Sequence, residues 1–200
     1  MTARLWEAAT GKGLAVVNGH EGSVLSAAFS PDGKTVVTAS DDNTARLWEA
    51  ATGNQFSVLT GRHGLLTSAV FSPDGKTVLT ASDDKTARLW DAATGKVIAV
   101  LKGHESPVLS AVFSPDGKTV VTASVDKTAR LWEAATGREV AVLKGHEGAV
   151  TSAAFCPDGK TIVTASLDAT ARLWDAASQK EIAVLKGHED FVISAAFRSI

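Results

Sequence analysis

The sequence predicts an all-β chain of repeated four-stranded antiparallel sheets, and three observations predict it. Five tryptophans, Trp6, Trp48, Trp90, Trp132 and Trp174, stand 42 residues apart, and each closes the string Thr-Ala-Arg-Leu-Trp. A second string, Phe-Ser-Pro-Asp-Gly-Lys-Thr, begins at Phe29, Phe71 and Phe113, and returns at Phe155 with Cys156 in place of serine. A Gly-His pair stands at Gly19-His20, Gly103-His104, Gly145-His146 and Gly187-His188. Self-similarity at this period marks an architecture in which each unit buries its faces against its neighbours.

The elements follow in order within one repeat. Residues 24–29, Val-Leu-Ser-Ala-Ala-Phe, are short, apolar and β-prone, and Pro31-Asp32-Gly33 behind them is a turn signal. Residues 35–40 read as a second strand, because their valines and threonines fit a pleated surface. Asp41-Asp42-Asn43 makes a tight turn into a third strand at 44–48, which Ala-Ala-Thr-Gly ends at 50–53. Residues 55–59 form a fourth strand, ended by Gly61. A helical repeat is disfavoured because Pro-Asp-Gly interrupts every copy. The stretch Trp-Glu-Ala-Ala-Thr-Gly is too short for a helix that stands alone. Four short strands joined by tight turns, and repeated, are the pattern of a propeller blade.

These motifs carry a resemblance. Gly-His, then Phe-Ser-Pro-Asp-Gly, then an Asp ahead of Thr-Ala-Arg-Leu-Trp-Asp/Glu resembles the WD-repeat β-propeller family along the whole chain. Trp90 and Trp174 are followed by Asp, whereas Trp6, Trp48 and Trp132 are followed by Glu, a mild departure from the family pattern. The resemblance implies a hydrogen-bonded group of His, Ser or Thr, Asp and Trp in each blade. Carried over by position, these are His20, Ser40, Asp42 and Trp48; then Ser82, Asp84 and Trp90; then His104, Ser124, Asp126 and Trp132; then His146, Ser166, Asp168 and Trp174. Tryptophan offers only a donor, histidine can bridge and the carboxylate accepts, so the group is expected to lock loops rather than to catalyse. A nucleophile needs exposure beside an oxyanion site, and an enzyme needs one such site rather than several copies. In the second repeat Arg62 holds the histidine position and His63 follows it. Either Arg62 pairs with Asp84, or it turns to solvent and leaves Asp84 underpaired.

We label the strands of a blade a to d from axis to rim. Residues 19–60, 61–102, 103–144 and 145–186 each supply all four, residues 1–18 supply c and d, and residues 187–200 supply a, near Phe191 to Phe197. The count reaches 19 strands, one b strand short of five blades. By the resemblance, 187–200 and 1–18 would share a composite blade, yet strands a and c are not neighbours. Unpaired edges and uncovered apolar faces invite association. Head-to-tail self-association into a larger ring is the favoured expectation. The alternatives are ends that adjust, as in a fragment or a recent duplication, and an extended segment in the vacant slot.

Composition narrows the function classes. Among 200 residues, 20 Lys and Arg stand against 22 Asp and Glu, which argues against a dedicated nucleic-acid binder. No apolar run approaches the length a bilayer requires, and the first residues, Met1-Thr2-Ala3-Arg4-Leu5-Trp6, do not form a signal peptide. The single cysteine excludes an intrachain disulfide and suits a reducing compartment, so a cytoplasmic protein without cofactor or metal is expected. Asp-Gly-Lys-Thr at 32–35 looks like the tail of a phosphate loop but lacks the required upstream glycine, since Ala28 stands there. Asp41-Asp42-Asn43 lacks calcium-loop spacing, and the histidines lie in separate repeats.

The copies disagree on the side that carries the d–a loops and b–c turns. Three residues after the histidine position stand Ser23, Leu65, Pro107, Ala149 and Phe191. Asp41, Asp83, Val125 and Leu167 precede the tetrad aspartate, and Asn43, Lys85, Lys127 and Ala169 follow it. The Pro-Asp-Gly-Lys turns on the other side are identical, although the c–d side also varies at Gly13, Gln55, Val97, Glu139 and Glu181. Apolar residues in tight turns mark a contact site. The expected partner surface, which also resembles the interaction positions of the WD-repeat family, comprises Leu65, Pro107, Val125, Leu167, Phe191, Asp41, Asp83, Lys85 and Lys127. The function expected is a non-catalytic scaffold for a protein or peptide. The alternative is a self-assembling structural propeller without a specific ligand.

Overall fold

The computed structural model describes residues 1–61 and 64–198, and among these it contains strands and no helix. Strands β1 (Thr2–Trp6) and β2 (Gly13–Asn18) form a two-stranded sheet. Four four-stranded antiparallel sheets follow. The first blade is β3 (Val24–Phe29), β4 (Thr35–Ser40), β5 (Thr44–Glu49) and β6 (Gln55–Thr60). The second is β7 (Leu66–Phe71), β8 (Thr77–Ser82), β9 (Thr86–Asp91) and β10 (Val97–Lys102). The third is β11 (Val108–Phe113), β12 (Thr119–Ser124), β13 (Ala129–Glu133) and β14 (Glu139–Leu143). The fourth is β15 (Val150–Phe155), β16 (Thr161–Ser166), β17 (Ala171–Asp175) and β18 (Glu181–Leu185).

The turns explain why one short motif recurs. Ser30 Oγ donates to Asp32 Oδ1 at 2.6 Å, the Lys34 N–H donates to the same oxygen at 3.0 Å, and the Gly33 N–H donates to the Ser30 carbonyl at 2.9 Å. Gly33 needs its freedom here, with φ at 70°. This closed set of bonds between β3 and β4 sets the register, in which Val36 faces Phe29 on one side and Trp48 on the other.

Packing between blades is equally repetitive. One face of the first blade presents Val37, Ala39, Ala45, Leu47 and Leu59, and the second blade sets Leu66, Ala69, Val78 and Trp90 against it. Leu79, Ala81, Ala87, Leu89 and Leu101 receive Val108, Ala111, Val120 and Trp132 in the same way, and the third and fourth blades repeat the pattern. The two-stranded sheet places Leu5 and Val17 on Val36 and Trp48. Trp48, Trp90, Trp132 and Trp174 thus each seal one blade onto the sheet before it.

The sheets do not close on themselves. Trp6 is 56% exposed where Trp48 is 1% exposed, and Leu185 is 44% exposed where Leu59 and Leu101 are fully buried. The expected strand a at 191–197 is not formed. Residues 191–198 run without regular ladder pairing, held by other bonds. The Val192 N–H donates to the Ser166 carbonyl at 3.0 Å, and Thr151 Oγ1 donates to the Val192 carbonyl at 2.7 Å. The corresponding bond in the second blade, from Thr67 Oγ1 to the Val108 carbonyl at 2.7 Å, links two full strands. The segment therefore takes the path of a next strand a, but among the described residues nothing offers it the neighbour a ladder requires.

Candidate functional site

The polar network inside a blade joins the segment ahead of strand a, strand b, the b–c turn and strand c of one repeat. In the first blade His20 Nδ1 lies 2.7 Å from Asp42 Oδ2 and His20 Nε2 lies 2.7 Å from Thr38 Oγ1, while Trp48 Nε1 donates to Thr38 Oγ1 at 2.8 Å. In the third blade His104 meets Asp126 and Thr122, both at 2.7 Å, and Trp132 donates to Thr122 at 2.9 Å. In the fourth, His146 meets Asp168 and Thr164, both at 2.8 Å, and Trp174 donates to Thr164 at 2.9 Å. The donors and acceptors form one consistent chain. The tryptophan N–H gives to the threonine hydroxyl, the hydroxyl gives to histidine Nε2, and Nδ1–H gives to the carboxylate. Every buried polar atom of that chain is satisfied by a neutral histidine.

This corrects the expected hydroxyl. Ser40, Ser82, Ser124 and Ser166 do not stand between histidine and tryptophan. Thr38, Thr122 and Thr164 do, and Thr80 receives the Trp90 donor at 2.9 Å in the second blade. The reason is register. Thr38 sits opposite Arg46 at the middle of β4, within reach of both rings, whereas Ser40 ends the strand opposite Val24. The serines pin the turn instead. Ser124 Oγ accepts from the Asp126 N–H at 3.1 Å and donates to the Pro107 carbonyl at 2.9 Å. The signal for the correct residue was present in the identical Thr-Ala-Ser strings at 38–40, 80–82, 122–124 and 164–166. Thr38 and Ser40 are fully buried, so neither hydroxyl is presented to a substrate.

The second blade solves its missing histidine another way. Arg88 Nη2 donates to Asp84 Oδ2 at 2.6 Å, whereas the corresponding Arg46 and Arg130 stay 3.7 and 3.8 Å from Asp42 and Asp126. Arg62, on which both expected fates of Asp84 turn, lies with His63 outside the described residues. The partner seen is Arg88. Burial pushes the Asp84 carboxyl up, but the bonds from Thr86 and Arg88 outweigh it and leave it below the ordinary carboxylate value.

The network also sets an acid response. Burial lowers His104 and His146, and the carboxylates of Asp126 and Asp168 only partly offset it. Asp126 is pushed up by burial but held lower overall by Thr128, His104 and the Glu105 N–H. The unfolded chain therefore takes up protons on both residue types before the folded chain does. The histidine contribution is fully present above the unfolded value near 6.5 and declines as pH falls below it, and the carboxylate contribution is lost below about 4. The urea midpoint followed by tryptophan fluorescence is expected to fall from pH 7 to 5 and again below 4. A midpoint unchanged between pH 7 and 5 would contradict the neutral-histidine network.

On the loop face, each b–c turn is tied to the segment after the histidine position. The Asp41 N–H donates to the Ser23 carbonyl at 3.1 Å and the Asp83 N–H to the Leu65 carbonyl at 3.2 Å. The Val125 N–H donates to the Pro107 carbonyl and the Leu167 N–H to the Ala149 carbonyl, both at 3.0 Å. These bonds bring Pro107 beside Val125 and Leu65 beside Asp83. Phe191 adjoins the Ser166–Leu167 turn through the bond made by Val192. Val125 is 40% and Phe191 61% exposed. Leu65, Pro107, Leu167 and Asp83 are half-buried, and Asp41, Lys85 and Lys127 are exposed. The lysines occupy the left-handed corner of the turn, with φ at 70° and 69°. Among the described residues no group of three or more His, Cys, Asp and Glu is arranged to hold a metal ion.

Blades sealed by a tryptophan and locked by a His–Thr–Asp network define a repeat protein of the β-propeller class. The model of the WD domain, G-beta repeat, matches residues 11–49, 53–91, 95–133 and 137–175, and the chain belongs to the WD40 repeat family. Each match runs from before strand d of one sheet through strand c of the next, so the family's repeat straddles two blades. No curated protein matches the chain. WD40 repeats generally build protein–protein interaction scaffolds, and their propellers are typically non-catalytic binders of proteins or peptides.

Proposed function

We propose that the chain is a non-catalytic scaffold that binds a peptide or protein on the face carrying the d–a loops and b–c turns. The observation that carries this reading is the pairing, in successive blades, of Pro107 with Val125 and of Ala149 with Leu167, continued by exposed Phe191. Apolar side chains displayed at turns of an otherwise repetitive framework are costly in water unless they are covered by a partner. Asp41, Asp83, Lys85 and Lys127 supply a mixed-charge margin around them. The lone Cys156 suits the cytoplasmic setting in which such a scaffold would act.

Selection of a displayed random-peptide library on the immobilised protein tests this. Enriched peptides are expected to lose at least about tenfold in affinity, ~1.4 kcal/mol, when Leu167 and Phe191 are both changed to Asp. Their affinity is expected to survive Lys34→Ala and Lys118→Ala on the opposite face. Peptides that bind the double variant as well as the parent would overturn the reading. A second reading, head-to-tail self-association without a specific ligand, is favoured by the exposures of Trp6 and Leu185. It places Trp6 of one copy on the Leu185 face of another, as Trp48 sits on Leu5 and Val17. Light scattering after size exclusion separates the two, because a monomer at all concentrations removes self-association.

A further inference from the structure

The second blade lacks an internal partner that its siblings possess. Arg46 Nη1 donates to Gln55 Oε1 at 2.8 Å and Arg130 Nη1 donates to Glu139 Oε2 at 2.7 Å. Arg172 Nη1 is likewise bonded to the Glu181 carboxylate. In the second blade that position is Val97, which has no acceptor. Arg88 is 7% exposed, and its Nη1 has no hydrogen-bond partner among the described residues. A cavity of about 420 Å³ opens there, lined by Thr60, Gly61, Arg88, Val97, Val100 and Lys102. It runs along β10 from Val97 to Lys102, beside Thr60 and Gly61 at the end of β6.

A buried guanidinium N–H without an acceptor is unfavourable, and a ligand that brings the acceptor recovers the missing bond. Two of the three sibling blades use a glutamate carboxylate for this purpose, so the chemistry that fits is a matter of comparison within one molecule. Lys102 adds a second positive charge at the mouth and Thr60 a hydroxyl, while Val97 and Val100 provide an apolar wall for a methylene stem. We propose that this cavity takes the carboxylate of an acidic side chain from a peptide partner, seated where Glu139 seats its own carboxylate in the third blade. The inference deepens the peptide-binding reading and rests on it for the peptide that carries the acid. Among the described residues Nη1 is vacant at Arg88 and bonded at its three counterparts, although Arg130 and Arg172 leave Nε without a partner.

Amide chemical shifts of the isotope-labelled full chain, titrated with a short all-glutamate peptide, test it. Saturable shifts are expected at Gly61, Val97 and Lys102. They are expected to be absent with an all-glutamine peptide and at least about tenfold weaker in Val97→Glu, whose own carboxylate would occupy Arg88. Val97→Glu is a gentle change, since Val97 is 48% exposed and two of the three siblings carry glutamate there. Equal shifts in Val97→Glu, or equal shifts with glutamine, would overturn the proposal. So would sodium acetate saturating the site as tightly as the peptide, which would make it a free-anion site. Shifts at Val125 and Leu167 with silence at Gly61 and Val97 would sink the cavity and leave the loop face standing. The reverse pattern would support the cavity and count against the loop face.

Discussion

Trp132→Ala is expected to lower the unfolding free energy by about 3–5 kcal/mol, and Trp6→Ala by about 1 kcal/mol or less. The two residues close the same sequence string and differ only in what covers them. Trp132 is 1% exposed and packs on Leu79, Ala81, Leu89 and Leu101 of the preceding blade, and its ring nitrogen is bonded to Thr122. Truncation there opens a cavity between two sheets and takes one donor from the buried Thr122 hydroxyl, which keeps its bond to His104. Trp6 is 56% exposed, so its removal takes little apolar area from cover. Urea unfolding followed by far-ultraviolet circular dichroism measures both. Because repeat arrays can unfold blade by blade, hydrogen exchange in β8 and β11 adds the local readout. Equal losses for the two variants would contradict the interlocked stacking of blades.

Thr122→Val is expected to cost about 1–3 kcal/mol although it preserves shape, because it leaves the Trp132 donor and the His104 acceptor buried without partners. The loss is expected to be strongly non-additive with Trp132→Phe, with a coupling of about 0.5–3 kcal/mol in a double-mutant cycle. Once the indole N–H is gone, the hydroxyl has less to hold. Ser124→Ala is expected to destabilise through the turn it pins, yet to add nearly independently to Trp132→Phe. If Ser124 rather than Thr122 coupled to Trp132, the network described here would be wrong. The comparison turns the choice between two neighbouring hydroxyls into a measurement.

Much of the architecture was legible in the chain because the forces that shape it act over a few residues. The Ser-Pro-Asp-Gly-Lys turn satisfies its own hydrogen bonds, so it reads the same in any context. The strands follow from β-branched runs bounded by such turns, and the 42-residue period says that each sheet must find a neighbour like itself. The loop face was legible in part. Differences among otherwise equal copies pointed to Val125, Leu167 and Phe191, but their grouping needed the backbone bonds that tie Val125 to Pro107 and hold Val192 at Ser166. The role of Arg88 was not legible, since it depends jointly on what stands at positions 62 and 97.

What the amino-acid order decided alone is therefore the unit: four strands, their turns, their spacing, and one tryptophan to each sheet. Tertiary structure decided the partners. Thr38 rather than Ser40 bridges His20 and Trp48, Arg88 rather than a histidine serves Asp84, and residues 191–198 follow a strand's path without becoming one. The physical reason is range. A turn closes on atoms three to five residues away, but the His20–Thr38 bond and the bonds of residues 191–198 join groups 18 to 43 residues apart, where register and the presence of a neighbouring sheet determine which group is near enough to bond. Arg88 and Asp84 stand only four residues apart, and their pairing follows from the arginine that replaces histidine at position 62.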